Sequence, residues 1–218
     1  MRLMVEGLFV KVSGVTCEED ALLSIGLGAN AVGFDFGPTP RRVQADDVRD
    51  IIRRLPTDAI TVGMFRNEMP TRIVDVANRL GLHAVQLDGR MSVDEVRYVS
   101  ERVNTVIRSI DPAAIDAALV VSPFVDYFLV PDDDDRSALE DSLELFSRGA
   151  LARPVIASGG LNAANVVDVV QNYPVWGVDA RSSTETEPSA KDPVRLGEFI
   201  ANARWAAENG YVERPSRE

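Results

Sequence analysis

Eight short runs rich in β-branched residues recur along the chain: Phe9–Gly14, Ala31–Phe36, Ile60–Phe65, Ala84–Gly89, Thr105–Ile110, Tyr127–Pro131, Pro154–Gly159 and Gly177–Ser182. Between most of them apolar residues return at helical spacing, as in Val43, Val48, Ile51, Ile52 and Leu55, or Ile73, Val74, Val76, Ala77 and Leu80. Alternating strands and helices imply a parallel sheet, because parallel neighbours need a crossover long enough to hold a helix. Eight such units in 218 residues fit one α/β domain, residues 1–218, folded as a (β/α)8 TIM barrel near the lower end of that fold's size range. Chemistry in that fold belongs to the loops after the strand C-termini.

Hydrophobic residues make up 45% of the chain, enough to fill such a core, and no low-complexity stretch divides it. The net charge of −11 supplies no basic stripe to displace counterions from phosphates, so nucleic acid is not an expected partner. The single cysteine, Cys17, rules out an internal disulfide. No apolar run reaches the ~18 residues of a spanning helix and the N-terminus carries no cleavage signature, so the expectation is a cytoplasmic protein without membrane contact. The sequence leaves oligomeric state open, and Trp176 and Trp205 fit either core or interface.

The strand ends carry the candidate site. After the seventh run, Gly159 and Gly160 allow close backbone approach, and a helix expected to start at Asn162 offers free N–H groups to an anion such as phosphate. A tight turn is the plainer role for the two glycines. The eighth run leads into a segment rich in hydroxyls and acids, with Ser182 and Ser183 beside Arg181 and Lys191. Loops seven and eight of such barrels often bind one phosphate together, which groups Gly159, Gly160, Ser182 and Ser183. Asp179 is placed to accept hydrogen bonds from sugar hydroxyls or to orient its own loop. The rigid turn after run two presents Arg41 and Arg42, whose planar forks suit a carboxylate or phosphate, a surface salt bridge being the plainer role for either one alone.

In this order the pieces resemble the phosphoribosylanthranilate isomerase family of tryptophan biosynthesis over nearly the whole chain. Val10-Lys-Val-Ser-Gly-Val-Thr16 followed by Asp20-Ala21 is similar to the family's Val-Lys-Ile-Cys-Gly-Leu-Thr and Asp-Ala. Gly33-Phe-Asp-Phe36, Thr39-Pro-Arg-Arg-Val43, Val62-Gly-Met-Phe65, Val85-Gln-Leu-Asp-Gly89 and Ala157-Ser-Gly-Gly-Leu-Asn-Ala-Ala-Asn-Val166 resemble five further family patterns. Asp179, Ser182, Glu185, Pro188, Lys191 and Asp192 fall at the spacing of its last motif.

The resemblance implies an Amadori rearrangement of a phosphorylated ribosyl amine, a small-molecule substrate, with no cofactor and no metal. Such a reaction needs an acid for the ring oxygen and a base for the C2′ proton. In the family the base is the cysteine of the first motif, where this chain has Ser13, and the acid is an aspartate ending strand six, where it has Pro131 followed by Asp132. The catalytic expectation is therefore Ser13 and Asp132, with Lys11, Arg41, Gln86 and Asp179 as substrate contacts. A serine hydroxyl is a poor base unless a neighbour takes its proton, and His83, the sole histidine, starts strand four at the wrong end of the barrel. Asp35, and Asp88 where the family has histidine, are alternative proton-transfer groups or polar plugs of the barrel mouth. Two rival functions follow: a diverged barrel that binds a phosphosugar without rearranging it, and an enzyme of altered reaction on a related phosphoribosyl substrate.

Overall fold

Side chains alternate along each strand, and the alternation sorts the buried residues into two cores. The computed structural model describes residues 3, 5–110, 115–130, 139, 143, 144 and 153–210. Strands β1 (Phe9–Ser13), β2 (Ala31–Asp35), β3 (Ile60–Arg66), β4 (Ala84–Asp88), β5 (Val106–Ser109), β6 (Tyr127–Leu129), β7 (Val155–Ala157) and β8 (Gly177–Ala180) pair in parallel with their neighbours. Pairing of β1 with β8 closes the barrel, as the run pattern requires. Inward residues Phe9, Ala31, Ile60, Val62, Ala84, Ile107, Tyr127, Leu129 and Ile156 form one cluster. Their outward neighbours, among them Val10, Val32, Phe34, Leu87 and Phe128, pack against the surrounding helices.

Among the described residues those helices are α1 (Glu18–Gly26), α2 (Ala45–Ile52), α3 (Pro70–Leu80), α4 (Val93–Ser100), α5 (Ile115–Val121), α6 (Val166–Asn172) and α7 (Pro193–Glu208). Local chemistry sets their ends. Proline opens α3 and Gly81, at φ 66°, closes it; Ser92 and Glu95 form a reciprocal cap on α4; the Asp192 carboxylate accepts from Val194 N and Arg195 N to start α7. A hairpin of β9 (Glu185–Glu187) and β10 (Ala190–Lys191) follows β8.

The barrel interior changes character along its axis. Its N-terminal end is apolar: Trp176 stacks on Phe9 at 4.6 Å and on Tyr127 at 4.1 Å, with Leu3 and Val5 packed below. Two and four residues further along the same strands the inward positions become Lys11, Ser13, Gln86 and Asp179, all buried. Trp176 is thus partly buried and packed against the inner core, whereas Trp205 on α7 is half exposed. His83 is structural, its Nδ1 lying 2.9 Å from Thr61 Oγ1 and accepting from Thr61 N at 3.1 Å.

Closure brings β8 tightly against β1 at Gly177, where a Cβ would lie 2.7 Å from the Phe9 carbonyl oxygen and 2.8 Å from Phe9 Cβ. Neither atom is the far end of a flexible chain, so backbone would have to shift. We expect Gly177→Ala to destabilise the fold by ~1–3 kcal/mol, the usual cost of overpacking. A urea midpoint indistinguishable from that of the parent chain would contradict it.

Candidate active site

The strand ends enclose a cavity of about 240 Å³. Ser13 comes from β1, Met64 and Arg66 from β3, Gln86 and Asp88 from β4, Ser109 from β5, Leu129 from β6, Ser158 from the end of β7, and Asp179 and Arg181 from β8 and its end. Pairs two residues apart on one strand share the inner face, which is how three strands each contribute two walls. No helix among the described residues is long and apolar enough to cross a membrane.

At the β1–β8 seam three polar side chains form one cluster. The Ser13 hydroxyl lies 2.8 and 3.0 Å from the two Asp179 carboxylate oxygens, and Lys11 Nζ lies 2.5 Å from Ser13 Oγ and 2.8 Å from Asp179 Oδ2. In that geometry Lys11 donates to both partners, so Ser13 accepts from the ammonium and gives its own proton to the carboxylate. The neighbour able to take a proton from Ser13 is therefore Asp179, 166 residues away, and not the histidine. Lys11 itself is fully buried behind Ser13 and contributes through these two groups. Gly33 on β2 makes the space: a Cβ there would lie 2.9 Å from Met64 Sδ and 3.1 Å from Ser13 Oγ.

A second network lies beside it. Arg41 grips Glu185 with two nitrogens, Nε at 2.9 and 3.0 Å and Nη2 at 2.6 Å. Lys191 Nζ reaches Glu185 Oε1 at 3.0 Å, the Ser13 carbonyl at 2.8 Å and the Arg181 carbonyl at 3.1 Å. Arg41 also crosses Gly14, whose φ of +74° is a left-handed conformation and where a Cβ would meet Arg41 Cδ at 2.5 Å. Glu185 thus fixes the Arg41 fork and ties loop two to loop eight, a role that its place in the last motif did not reveal.

Burial alone would raise the Glu185 carboxyl, but hydrogen bonds and charge from Arg41 and Lys191 outweigh it and hold the group below its ordinary 4.5. Burial pulls the Lys191 ammonium down, and Glu185 offsets only part of that.

The expected phosphate loops adjoin the cavity with a correction to their geometry. Gly159 and Gly160 both have positive φ, 90° and 57°, and directly follow Ser158. The helix starts at Val166, not at Asn162. The intervening turn uses its own side chains, since Asn162 N donates to Asn165 Oδ1 and Ala164 N to Asn162 Oδ1, each at 2.8 Å. Those two N–H groups are not free for an anion. The Ser183 hydroxyl donates to the Leu161 carbonyl and so links loop eight to loop seven, while Ser182 opens a single 3₁₀ turn, Ser182–Thr184, next to the cavity residue Arg181.

The remaining acids divide. Asp35 is taken up within its loop, accepting from Gly37 N at 2.9 Å and Thr39 Oγ1 at 3.0 Å. Asp88 faces the cavity and accepts from Gln86 Nε2 at 3.1 and 3.3 Å. Asp132 lies outside the described residues. Arg66 and Ser109 line the cavity without having been singled out in the sequence, where their one signal is position at the end of a strand.

Because the Glu185 carboxyl is depressed in the fold, its contribution to stability is complete above pH ~4.5 and is lost as pH falls through its native value. Glu185→Gln should therefore flatten the acid limb of unfolding free energy against pH. At neutral pH it should cost on the order of 3–5 kcal/mol, the penalty for leaving buried cations uncompensated. Chemical denaturation across pH 3–8, a range spanning ~1.5 units below and more than three above the ordinary value of 4.5, checks both parts; an unchanged acid limb would refute the assignment.

Known proteins bear on what this site belongs to. Residues 10–202 match the family model described as N-(5′-phosphoribosyl)anthranilate isomerase. The N-(5′-phosphoribosyl)anthranilate isomerase of Desulforudis audaxviator is 34% identical over 204 residues, covering 90% of this chain and 98% of that protein. That of Thermotoga maritima is 35% identical over 202 residues, with 89% and 98% covered. Its crystal structure superposes with a TM-score of 0.82 over 91% of this chain and 99% of that one, at 35% identity. A phosphoribosylanthranilate isomerase in complex with reduced 1-(o-carboxyphenylamino)-1-deoxyribulose 5-phosphate gives 0.80 at 36% identity, with 91% and 99% covered. A family model matched over most of the barrel, together with relatives of this similarity along nearly their whole length, shows that the chain belongs to the N-(5′-phosphoribosyl)anthranilate isomerase family.

Proposed function

We propose that this chain catalyses the family's isomerisation in tryptophan biosynthesis, converting N-(5′-phosphoribosyl)anthranilate to its 1-deoxyribulose 5-phosphate isomer by an Amadori rearrangement. The observation that carries the reading is the Ser13–Asp179–Lys11 cluster on the cavity wall, which supplies a proton acceptor although the motif's cysteine is replaced. Once the ring has opened to the protonated Schiff base, the C2′ proton is acidified by the adjacent iminium. Ser13 Oγ takes that proton as its own passes to Asp179, and Lys11 holds both oxygens in register. The C2′–H electrons form the C1′–C2′ double bond as the C1′–N π pair returns to nitrogen, giving a neutral enolamine that tautomerises to the ketone.

Substrate placement follows from charge and backbone. The 5′-phosphate sits against the Gly159–Gly160 backbone and the Ser182–Ser183 turn, whose side chains already tie the two loops together. Gln86 and Asp179 face the sugar. The aglycone carboxylate meets Arg41, pre-oriented by Glu185. A cytoplasmic setting suits a phosphorylated substrate whose charge bars unaided passage through a bilayer.

Turnover of N-(5′-phosphoribosyl)anthranilate by the purified chain tests the reading. Ser13→Ala should lower kcat, and Ser13→Cys should raise it, because a thiol ordinarily near pKa 8.5 ionises far more readily than a hydroxyl. Full activity in Ser13→Ala would move the base elsewhere. Binding of the reduced product analogue without turnover, both in the parental chain and in the Ser13→Cys variant, would favour a phosphosugar-binding barrel.

A separate measurement addresses Arg41. Loss of a charge-assisted hydrogen bond costs roughly 1.5–3 kcal/mol, so Arg41→Ala should weaken carboxylated ligands by at least about tenfold and spare ligands lacking the carboxylate. Equal weakening of both would remove Arg41 from that role.

A further inference from the structure

The isomerisation needs an acid at the ring oxygen as well as a base at C2′, and the base cluster occupies only the β1–β8 wall. Across the closed barrel, four strands from β8, the wall is β4, and its last residue is Asp88. We propose that Asp88 is the general acid of this chain: its carboxylic acid protonates the furanose ring oxygen as the C1′–O4′ bond breaks. The inference rests on the isomerase reading above and adds a residue to it.

The step balances without any further reagent. The lone pair of the anilino nitrogen forms the C1′–N double bond, the electrons of the C1′–O4′ bond leave with oxygen, and the Asp88 proton completes the new hydroxyl. Asp88 is left as a carboxylate and the substrate as a protonated Schiff base. The proton later taken from C2′ by the Ser13–Asp179 pair, and exchanged with solvent, restores the starting charges.

Three observations separate Asp88 from the other described acids of the mouth. Asp179 is engaged in an ion pair with Lys11, and both oxygens of Asp35 are engaged by Gly37 N and Thr39 Oγ1. Asp88 lines the cavity and accepts from the neutral amide of Gln86 through Nε2, and Gln86 has a buried Oε1 without a hydrogen-bond partner among the described residues. An unpartnered buried acceptor of this kind calls for a donor from a bound molecule, and an N–H or hydroxyl of the opening sugar amine supplies one. The strand end is also held firmly: Arg108 donates to the carbonyls of Leu87 and Gly89, at 2.6 Å each, on either side of Asp88, and Gly89 at φ 74° packs against Asn67.

The environment favours the protonated acid and receives its charge afterwards. Burial raises the Asp88 carboxyl above its ordinary value. The Gln86 hydrogen bond, Lys11 on β1 and Arg66 on β3 oppose that rise, and Asp35 on β2 adds to it. Arg108 on β5 faces the same carboxyl. Once the proton has gone, Arg66 and Arg108 flank the new carboxylate. The active form is the protonated one, so activity is full below the Asp88 pKa and falls as pH rises through it.

The test is the pH profile of kcat for the full chain and for Asp88→Asn and Asp88→Glu, with binding of the reduced product analogue measured by calorimetry. General acid catalysis contributes typically about 10²–10⁴-fold. Asp88→Asn should lose that factor in kcat while still binding the analogue within a few-fold, and its residual rate should lack the alkaline decline. Asp88→Glu should keep measurable activity with the decline moved along the pH axis. An Asp88→Asn variant with parental kcat and an intact alkaline limb overturns the assignment and leaves the isomerase reading standing. If Asp88→Asn fails to bind the analogue, the Asp88→Glu limb decides: a moved limb supports the assignment and an unmoved one overturns it. A parental chain that binds the analogue without turning over substrate overturns both readings together.

Discussion

The site depends on the contact between β1 and β8, which closes the sheet on itself and seats an ion pair across the seam. Register aligns Lys11 with Asp179 across that seam, and with Lys11 fully buried the pair at 2.8 Å is screened little by solvent. A buried pair of this kind is weak evidence for stability, because desolvation offsets much of the attraction. Its consequence here is orientation. The carboxylate is fixed by the ammonium, and Ser13 is fixed by both. Gly33 on the next strand and Gly177 on the last leave the space that lets these side chains and Phe9 stand inward.

A gradient along the barrel axis makes that closure compatible with a site. The aromatic stack of Phe9, Trp176 and Tyr127 and the aliphatic layer above it bury the N-terminal half, so the polar layer meets water only from the C-terminal side. Polar groups at that level are linked to one another through hydrogen bonds that span distant loops. Lys191 touches the end of β1 and the end of β8, Glu185 holds the arginine of loop two, and Ser183 holds loop seven. Such cross-links replace the rigidity that loops lack by themselves, and pre-oriented charge is what an electrostatically catalysed rearrangement requires.

In the proposed mechanism, a serine at the motif's cysteine position keeps a base and relocates the proton's destination. A thiolate holds the proton itself, whereas a hydroxyl hands it on, and the hydroxyl at position 13 is within hydrogen-bond reach of a carboxylate that the same fold already needs against Lys11. Opposite that wall, Asp88 lines the cavity in surroundings whose burial raises its carboxyl above the ordinary value. On the proposed reading, residues on facing walls hold the two protons while the barrel keeps the family's plan.

Much of this was written in local sequence. The strands are legible because β-branched runs and helical spacing are local patterns, and the α2 and α3 stretches appear where Val43–Leu55 and Ile73–Leu80 placed them. Ser13, Gln86 and Asp179 were singled out because motif order marks strand ends, and the structure brings all three to one cavity. Pairing across long chain separations was not legible. Asp179 as the partner of Ser13, Glu185 as the holder of Arg41, and the different surroundings of Asp35 and Asp88 arise from register and closure, which no local window contains. The start of α6 was misread for a related reason: Asn162 and Asn165 bond to nearby backbone within a turn, and that competition between side chain and helix is settled by geometry beyond the residue types. The sequence by itself determined the barrel and the strand ends that carry chemistry; tertiary structure decided which charged groups meet, because charges find partners through space and the barrel joins its first strand to its last.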